Sequence, residues 1–156
     1  MEALNFPSYP VQTRMTDNKP LIFDLIRKKH VALTPEEWVR QHLIHYLIRE
    51  KACPASLISV ETPLKYAQMN KRSDVIVYER NGTPLLLAEC KAPDVPLTQK
   101  VFEQIAVYHQ TVRSPFLLLT NGLQHYCMAA ATAGKPVCFL TEIPDYEQLL
   151  MHRSPL

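Results

Sequence analysis

Apolar residues in this chain fall mostly into short runs divided by turn residues, and at two places they repeat at helical spacing instead. The most informative stretch is 74–91, D-V-I-V-Y-E-R-N-G-T-P-L-L-L-A-E-C-K, in which two apolar runs flank Asn81-Gly82. Both central positions of a type I′ hairpin turn need a positive φ, which Asn and Gly tolerate best, so this dipeptide predicts a two-residue turn. The turn fixes a register. Arg80 then faces Thr83, Tyr78 faces Leu85, Ile76 faces Leu87 and Asp74 faces Glu89. Directly opposed residues share a face, with Cβ atoms roughly 4.5 to 5.5 Å apart, so two carboxylates are expected side by side. Lys91 projects from that same face and Cys90 from the other, because strand side chains alternate. Thr83–Lys91 is apolar on both faces, with Leu85 and Leu87 on the side of Glu89. It therefore belongs in the middle of a sheet between helical layers.

The remaining pattern supplies the elements around this hairpin. Residues 1–10, broken by Pro7 and Pro10, read as an irregular arm. Val11–Met15 and Leu21–Phe23, either side of Asp17-Asn18-Lys19-Pro20, suggest a small hairpin within 1–30. Thr34-Pro35-Glu36-Glu37 starts a helix, with Thr34 as N-cap, Pro35 at the first position and Glu37 closing a capping box. This helix runs to about Glu50 and carries enough apolar residues, Trp38 to Ile48, to pack on a sheet. Leu57–Thr62 reads as a strand with Glu61 solvent-facing or at the sheet edge, and 65–73 as a polar connection. Ala92-Pro93 halts the central strand, and a second helix begins near Thr98. Phe116–Leu119 and Gln124–Ala129 form strands around the turn Asn121-Gly122. Ala129–Gly134 is ambiguous, Val137–Leu140 is another strand, and Ile143-Pro144-Asp145 opens a terminal helix over about 143–151. The expected whole is one α/β domain with its core at about 34–140.

Composition narrows the function classes. The chain has 156 residues, 47% hydrophobic and 21% charged, which suits a single soluble globular domain. A net charge of +2 gives no general affinity for nucleic acid, so any DNA contact must come from local patches. The four cysteines form no C-x-x-C pair and no export signal begins the chain, so reduced thiols in the cytoplasm are expected. No apolar run approaches the roughly 18 residues of a membrane span. The three glycines, Gly82, Gly122 and Gly134, cannot make a phosphate-binding G-x-x-x-x-G-K-[ST] loop, which excludes an ATP site of that kind.

Opposed carboxylates repel, and sharing a site raises one pKa unless a positive charge lies between them. A divalent cation resolves this, and Mg²⁺ is typically held by one or two carboxylates plus waters and substrate phosphates. Lys91 beside such a cation would orient or help deprotonate a water, or stabilise charge on a phosphate under attack. The plainer alternative is a strand-start aspartate with a Glu89–Lys91 ion pair. Arg27-Lys28-Lys29 is either a solvated turn or a contact for DNA phosphates, and Lys71 and Arg72, just before Asp74, carry the same two readings. Arg40, one turn after Glu36, pairs with it on the helix surface. His42 and His45 are packed or solvated in preference to forming a metal pair, since no third ligand is apparent.

Asp74 followed by Glu89-Cys90-Lys91 at the end of the next apolar strand resembles the PD-(D/E)xK nuclease signature. Gln104-Ile105-Ala106-Val107-Tyr108 matches the Q-x-x-x-Y element of one branch of that superfamily. With the 33–41 helix start, the layout over about 20–130 is similar to the N-terminal nuclease domain of type I restriction enzyme R subunits. The resemblance implies a restriction-endonuclease-like core: a central mixed sheet of four to five strands flanked by helices in αβββαβ order. It further implies a Mg²⁺-dependent DNA endonuclease, with Mn²⁺ as substitute, in which Asp74 and Glu89 bind the metal and Lys91 and Gln104 serve the chemistry. In related nucleases a glutamate on the first helix often helps hold the metal, so Glu36 and Glu37 are candidates, although capping alone explains Glu37. Gln104 would hydrogen-bond near Lys91 or to a DNA phosphate with Tyr108 bracing it, while an ordinary amphipathic helix explains both equally. Implied partners are DNA, a motor or specificity subunit and a second copy of the chain. The alternative function is a DNA-binding or assembly module of a restriction or repair system with little activity alone.

Overall fold

A computed structural model describes residues 1–66, 69–129 and 137–151, and the side chains of these except 64–66, 69–73 and 107–112. Three strands, β1 (Thr13–Thr16), β2 (Lys19–Asp24) and β3 (Lys29–Ala32), form a small antiparallel sheet. This is one strand more than the expected hairpin. Asp17 and Asn18 both have positive φ, at 50° and 60°, and close a two-residue turn in which Thr16 faces Lys19.

Helix α1 (Pro35–Arg49) starts as expected, with Thr34 Oγ1 accepting from the Glu37 amide at 3.0 Å. The reciprocal half of the capping box is absent, because the Glu37 carboxylate is engaged by Arg27, Arg40 and Gln41. After one 3₁₀ turn at Ala55–Leu57 come β4 (Ile58–Tyr66), β5 (Met69–Tyr78) and β6 (Pro84–Cys90). The expected polar connection over 65–73 is instead paired strand, continuing to Tyr66↔Met69. Helix α2 (Gln99–Val112) crosses over to β7 (Phe116–Thr120), parallel to β6, and β8 (His125–Ala129), β9 (Cys138–Leu140) and α3 (Tyr146–Met151) complete the chain. Residues 130–134 of the ambiguous 129–134 run lie outside the described residues. The class is α/β as expected, with six strands in the order β4-β5-β6-β7-β8-β9 where four to five were expected. The later strands pair onto β7 and lengthen the sheet without disturbing its centre.

The sheet is covered on both faces, which is why β6 carries apolar residues on both sides up to Glu89. Val39, Leu43 and Leu47 of α1 and Leu149 of α3 pack with Val75, Val77, Leu86, Ala88 and Cys90 on one face. Ile105 of α2 packs with Ile76, Leu87, Leu117 and Leu119 on the other. The N-terminal arm is irregular but docked. The Asn5 amide donates to the Gly122 carbonyl at 2.7 Å, Trp38 Nε1 donates to the Glu2 carbonyl at 2.9 Å, and the Phe6 ring lies 4.4 Å from that of His125.

The central turn differs from the expectation in a way that leaves the register intact. Of its residues only Gly82 has positive φ, at 88°. The Gly82 amide donates to the Glu79 carbonyl and the Glu79 amide to the Thr83 carbonyl, so Arg80–Gly82 is a three-residue loop and not a type I′ turn. Tyr78 consequently faces Pro84 instead of Leu85. A bulge between Val77 and Tyr78 then leaves Leu85 as the extra residue and restores Val77↔Leu86, Ile76↔Leu87 and Val75↔Ala88. The two offsets cancel, and Asp74 meets Glu89 as read from the sequence.

Candidate functional site

Asp74 and Glu89 follow Ile76 and Leu87 at the two-residue step that keeps side chains on one face, and both are buried. Asp74 Oδ2 accepts from the Cys90 amide at 2.7 Å and Oδ1 from Arg40 at 3.0 Å. Glu89 is 8% exposed, and its Oε2 receives no hydrogen bond. Burial, then the Asp74 charge, push the Glu89 carboxyl up to about 9, while Lys91 acts against the shift. Lys91 Nζ lies 3.9 Å from Glu89 Oε1, and its amide donates to the Thr120 carbonyl at 2.8 Å, extending the β6–β7 pairing to the lysine. Cys90 packs into the opposite core, as alternation requires.

The strongest charge here was not expected from the sequence. Arg40 pairs with Glu36 as expected, but it is only 3% exposed and that pair is one arm of a larger network, not a helix-surface contact alone. Besides Asp74, its guanidinium donates to Glu37 Oε2 at 2.8 Å and Glu61 Oε1 at 3.1 Å, with Glu36 Oε1 at 3.5 Å. Glu61 is therefore neither free in solvent nor peripheral. The flanking pairs Val60↔Val75 and Thr62↔Ser73 put it opposite Asp74, with its backbone at φ 51°. Glu61, Asp74 and Glu89 thus occupy one level on three adjacent strands. Register arithmetic would have found Glu61 had 65–73 been read as strand, and the Glu36/Glu37-to-Arg40 spacing was the only signal for Arg40.

The other expected residues divide. Glu36 is half-exposed and lies 3.5 Å from Arg40; burial, then the Asp74 charge, raise its pKa, while Arg40 and Lys91 lower it. Glu37 is consumed by Arg27, Arg40 and Gln41, which leaves no oxygen of it unengaged. Arg27 is no solvated turn residue, since it pairs with Asp24, Glu37 and Glu61, whereas Lys28 and Lys29 are exposed. Gln104 is exposed on α2 and hydrogen-bonds neither to Lys91 nor to the carboxylates. The side chains of Lys71, Arg72 and Tyr108 lie outside the described residues. His42 and His45 are packed: His42 Nδ1 lies 2.8 Å from the Trp38 carbonyl, and Tyr9 stacks on His45 with centroids 5.4 Å apart. Burial lowers both histidine pKa values. Among the described residues, no three His, Cys, Asp or Glu side chains are grouped to hold a metal ion. All four cysteines are free. No helix of the described residues is long and apolar enough to cross a membrane.

A groove of about 480 Å³ opens beside these residues, lined among others by Arg27, Val31, Thr34, Glu36, Arg40 and Glu61. Among solved structures, this fold is similar to a fragment assigned to an HsdR subunit of a type I restriction enzyme from Vibrio vulnificus YJ016. That likeness has a TM-score of 0.55 and 19% identity over 76% of this chain, which spans 25% of the other. A protein assigned as a nuclease of DUF820 from Anabaena variabilis aligns over 94% of this chain and 88% of its own, with a TM-score of 0.49 and 12% identity. No curated protein matches. The family described as Type I restriction enzyme R protein N terminus matches residues 35–144, from the first residue of α1 to just before the last helix, so the chain belongs to that family of nuclease-like domains.

Proposed function

We propose that this domain is a metal-dependent DNA endonuclease that hydrolyses phosphodiester bonds, with Mg²⁺, or Mn²⁺ in its place, held by Asp74 and Glu89. The observation that carries this reading is the buried Glu89 Oε2, which has no donor although it lies beside a second carboxylate and 3.9 Å from Lys91 on its other oxygen. A buried polar atom without a partner is costly, and an all-oxygen donor pair is what a hard cation prefers. Asp74 and Glu89 offer two carboxylates to such an ion, Mg²⁺ being commonly held by one or two carboxylates plus waters, and Glu37 is excluded because Arg27, Arg40 and Gln41 already engage it. When bound, the ion would stabilise charge on the attacked phosphate and make a water more acidic. Glu89 would hold such an ion in its ionised form, and Asp74 is oriented by the Cys90 amide. Lys91, a quarter exposed, offers its ammonium to the water or to a phosphate oxygen. Lys28 and Lys29 remain exposed for backbone phosphates, and Arg27 does not serve that role.

Incubating the protein with plasmid DNA and Mg²⁺ tests the assignment. Nicking or cutting by the wild type, and its loss in Lys91→Ala and in chelator, is the expected result; equal cleavage by both proteins rules the chemistry out. One observation favours a second reading, a DNA-binding or assembly module needing partner subunits for turnover: Arg40 already neutralises Asp74, and no third described ligand is in place. DNA affinity independent of metal, without cleavage, supports that reading. A motor or specificity subunit, or a second copy of the chain for cutting both strands, is the partner class this fragment-length likeness suggests.

A further inference from the structure

We propose that Arg40 is a positioning residue which holds Asp74 in the metal-free site and competes there with the incoming cation, so that it sets how tightly the metal binds. This rests on the metal-dependent reading above. The guanidinium spans two groups of acids, with one nitrogen toward Glu37 and Glu61 and the other 3.0 Å from Asp74 Oδ1 and, more distantly, 3.5 Å from Glu36 Oε1. Its Nε is buried without a partner, so the placement does not maximise its own hydrogen bonding. Glu37 and Glu61 are also held by Arg27, which makes no contact with Asp74. Arg40 is thus the residue whose position is explained by Asp74. A fixed unit charge at contact distance weakens the potential that attracts a divalent ion to the same carboxylate, and the low-dielectric surroundings amplify the effect.

Arg27 is the internal control, since it shares two of the acids but not the candidate ligand. Mn²⁺ is titrated calorimetrically into the wild type, Arg40→Gln, Arg27→Gln and Glu89→Gln, and each is melted in chelator and in Mn²⁺. Both arginine variants are expected to melt lower than wild type in chelator. Only Arg40→Gln is expected to bind Mn²⁺ more tightly, by roughly tenfold or more, and to show a larger Mn²⁺-induced rise in melting temperature. Arg40→Lys keeps a charge beside Glu37 and serves if Arg40→Gln does not fold. Its single ammonium cannot span Glu37 and Asp74 together, so it too is expected to tighten binding, by severalfold. Unchanged or weaker affinity in the folded Arg40 variant, or equal tightening in Arg27→Gln, overturns the proposal. Wild-type binding that Glu89→Gln abolishes but Arg40 leaves untouched defeats the Arg40 role alone; no Glu89-dependent binding in the wild type defeats the metal centre as well.

Discussion

Two groups of acids meet at the N-terminal end of α1, and they are neutralised differently. Asp24, Glu37 and Glu61 face Arg27 and Arg40 at hydrogen-bonding distance, and Asp24 also accepts from two amides of the turn that follows it. Across Arg40, the Asp74–Glu89 pair has one arginine contact and one ammonium at 3.9 Å, and leaves a carboxyl oxygen with no donor. The first group sets three carboxylates against two arginines, one of them shared with Asp74. Donors reach every one of these acids, as a structural network requires because an uncompensated buried charge costs several kcal/mol. In the second, Glu89 Oε2 is left without a donor. Acid content does not separate the two groups; the unmet oxygen does.

The largest expected effects break the second group. Glu89→Gln should abolish Mn²⁺ binding seen by calorimetry, and cleavage with it. Lys91→Ala should retain the metal but lower the cleavage rate by about 10²- to 10⁴-fold, the range for a positioned proton-transfer or charge-stabilising group. Breaking the first group should instead appear in folding. Asp24→Ala strands Arg27 and the turn amides and should cost about 3–5 kcal/mol in denaturant unfolding, with Mn²⁺ affinity unchanged.

A pH series sharpens the contrast at smaller amplitude. Glu89 carries a folded-state pKa raised from 4.5 to about 9, so the folded chain holds a proton that the unfolded chain releases. That contribution is complete below about 4.5 and is lost as pH rises toward about 9. In chelator the melting temperature of the wild type should therefore fall from pH 6 to 9 relative to Glu89→Gln, and Mg²⁺ should reduce the difference. Parallel pH profiles for the two proteins would show that Glu89 is not the stressed group. The smallest effect belongs to the turn: Gly82→Ala meets nothing within 4 Å, so only its positive φ counts, at about 1–2 kcal/mol.

The site was legible in the sequence to the extent that strand alternation and one turn signal determine register. Asn81-Gly82 marked the bend, and the burial of both strands forced Ile76 opposite Leu87 even though the loop closed differently. The both-positive turn formed at Asp17-Asn18 instead, where the two-residue loop meets no bulge. What remained hidden depended on contacts distant in sequence. Glu61 lay behind a polar stretch with no apolar alternation to declare it a strand, and Arg27 and Arg40 reveal their partners only once α1 and β4 are brought together. Gln104 matched a motif by spacing, but the turn of α2 leaves it facing solvent.

The central claim is that Asp74 and Glu89 form a cradle for a divalent cation. Diffraction from crystals grown with Mn²⁺, at a wavelength where manganese scatters anomalously, tests it directly. If the two carboxylates hold the ion, an anomalous peak lies within ligand distance of both, at about 2 Å, and Arg40 is drawn back from Asp74 Oδ1. Ordered Asp74 and Glu89 side chains with no peak between them, and Arg40 still seated on Asp74, would contradict it.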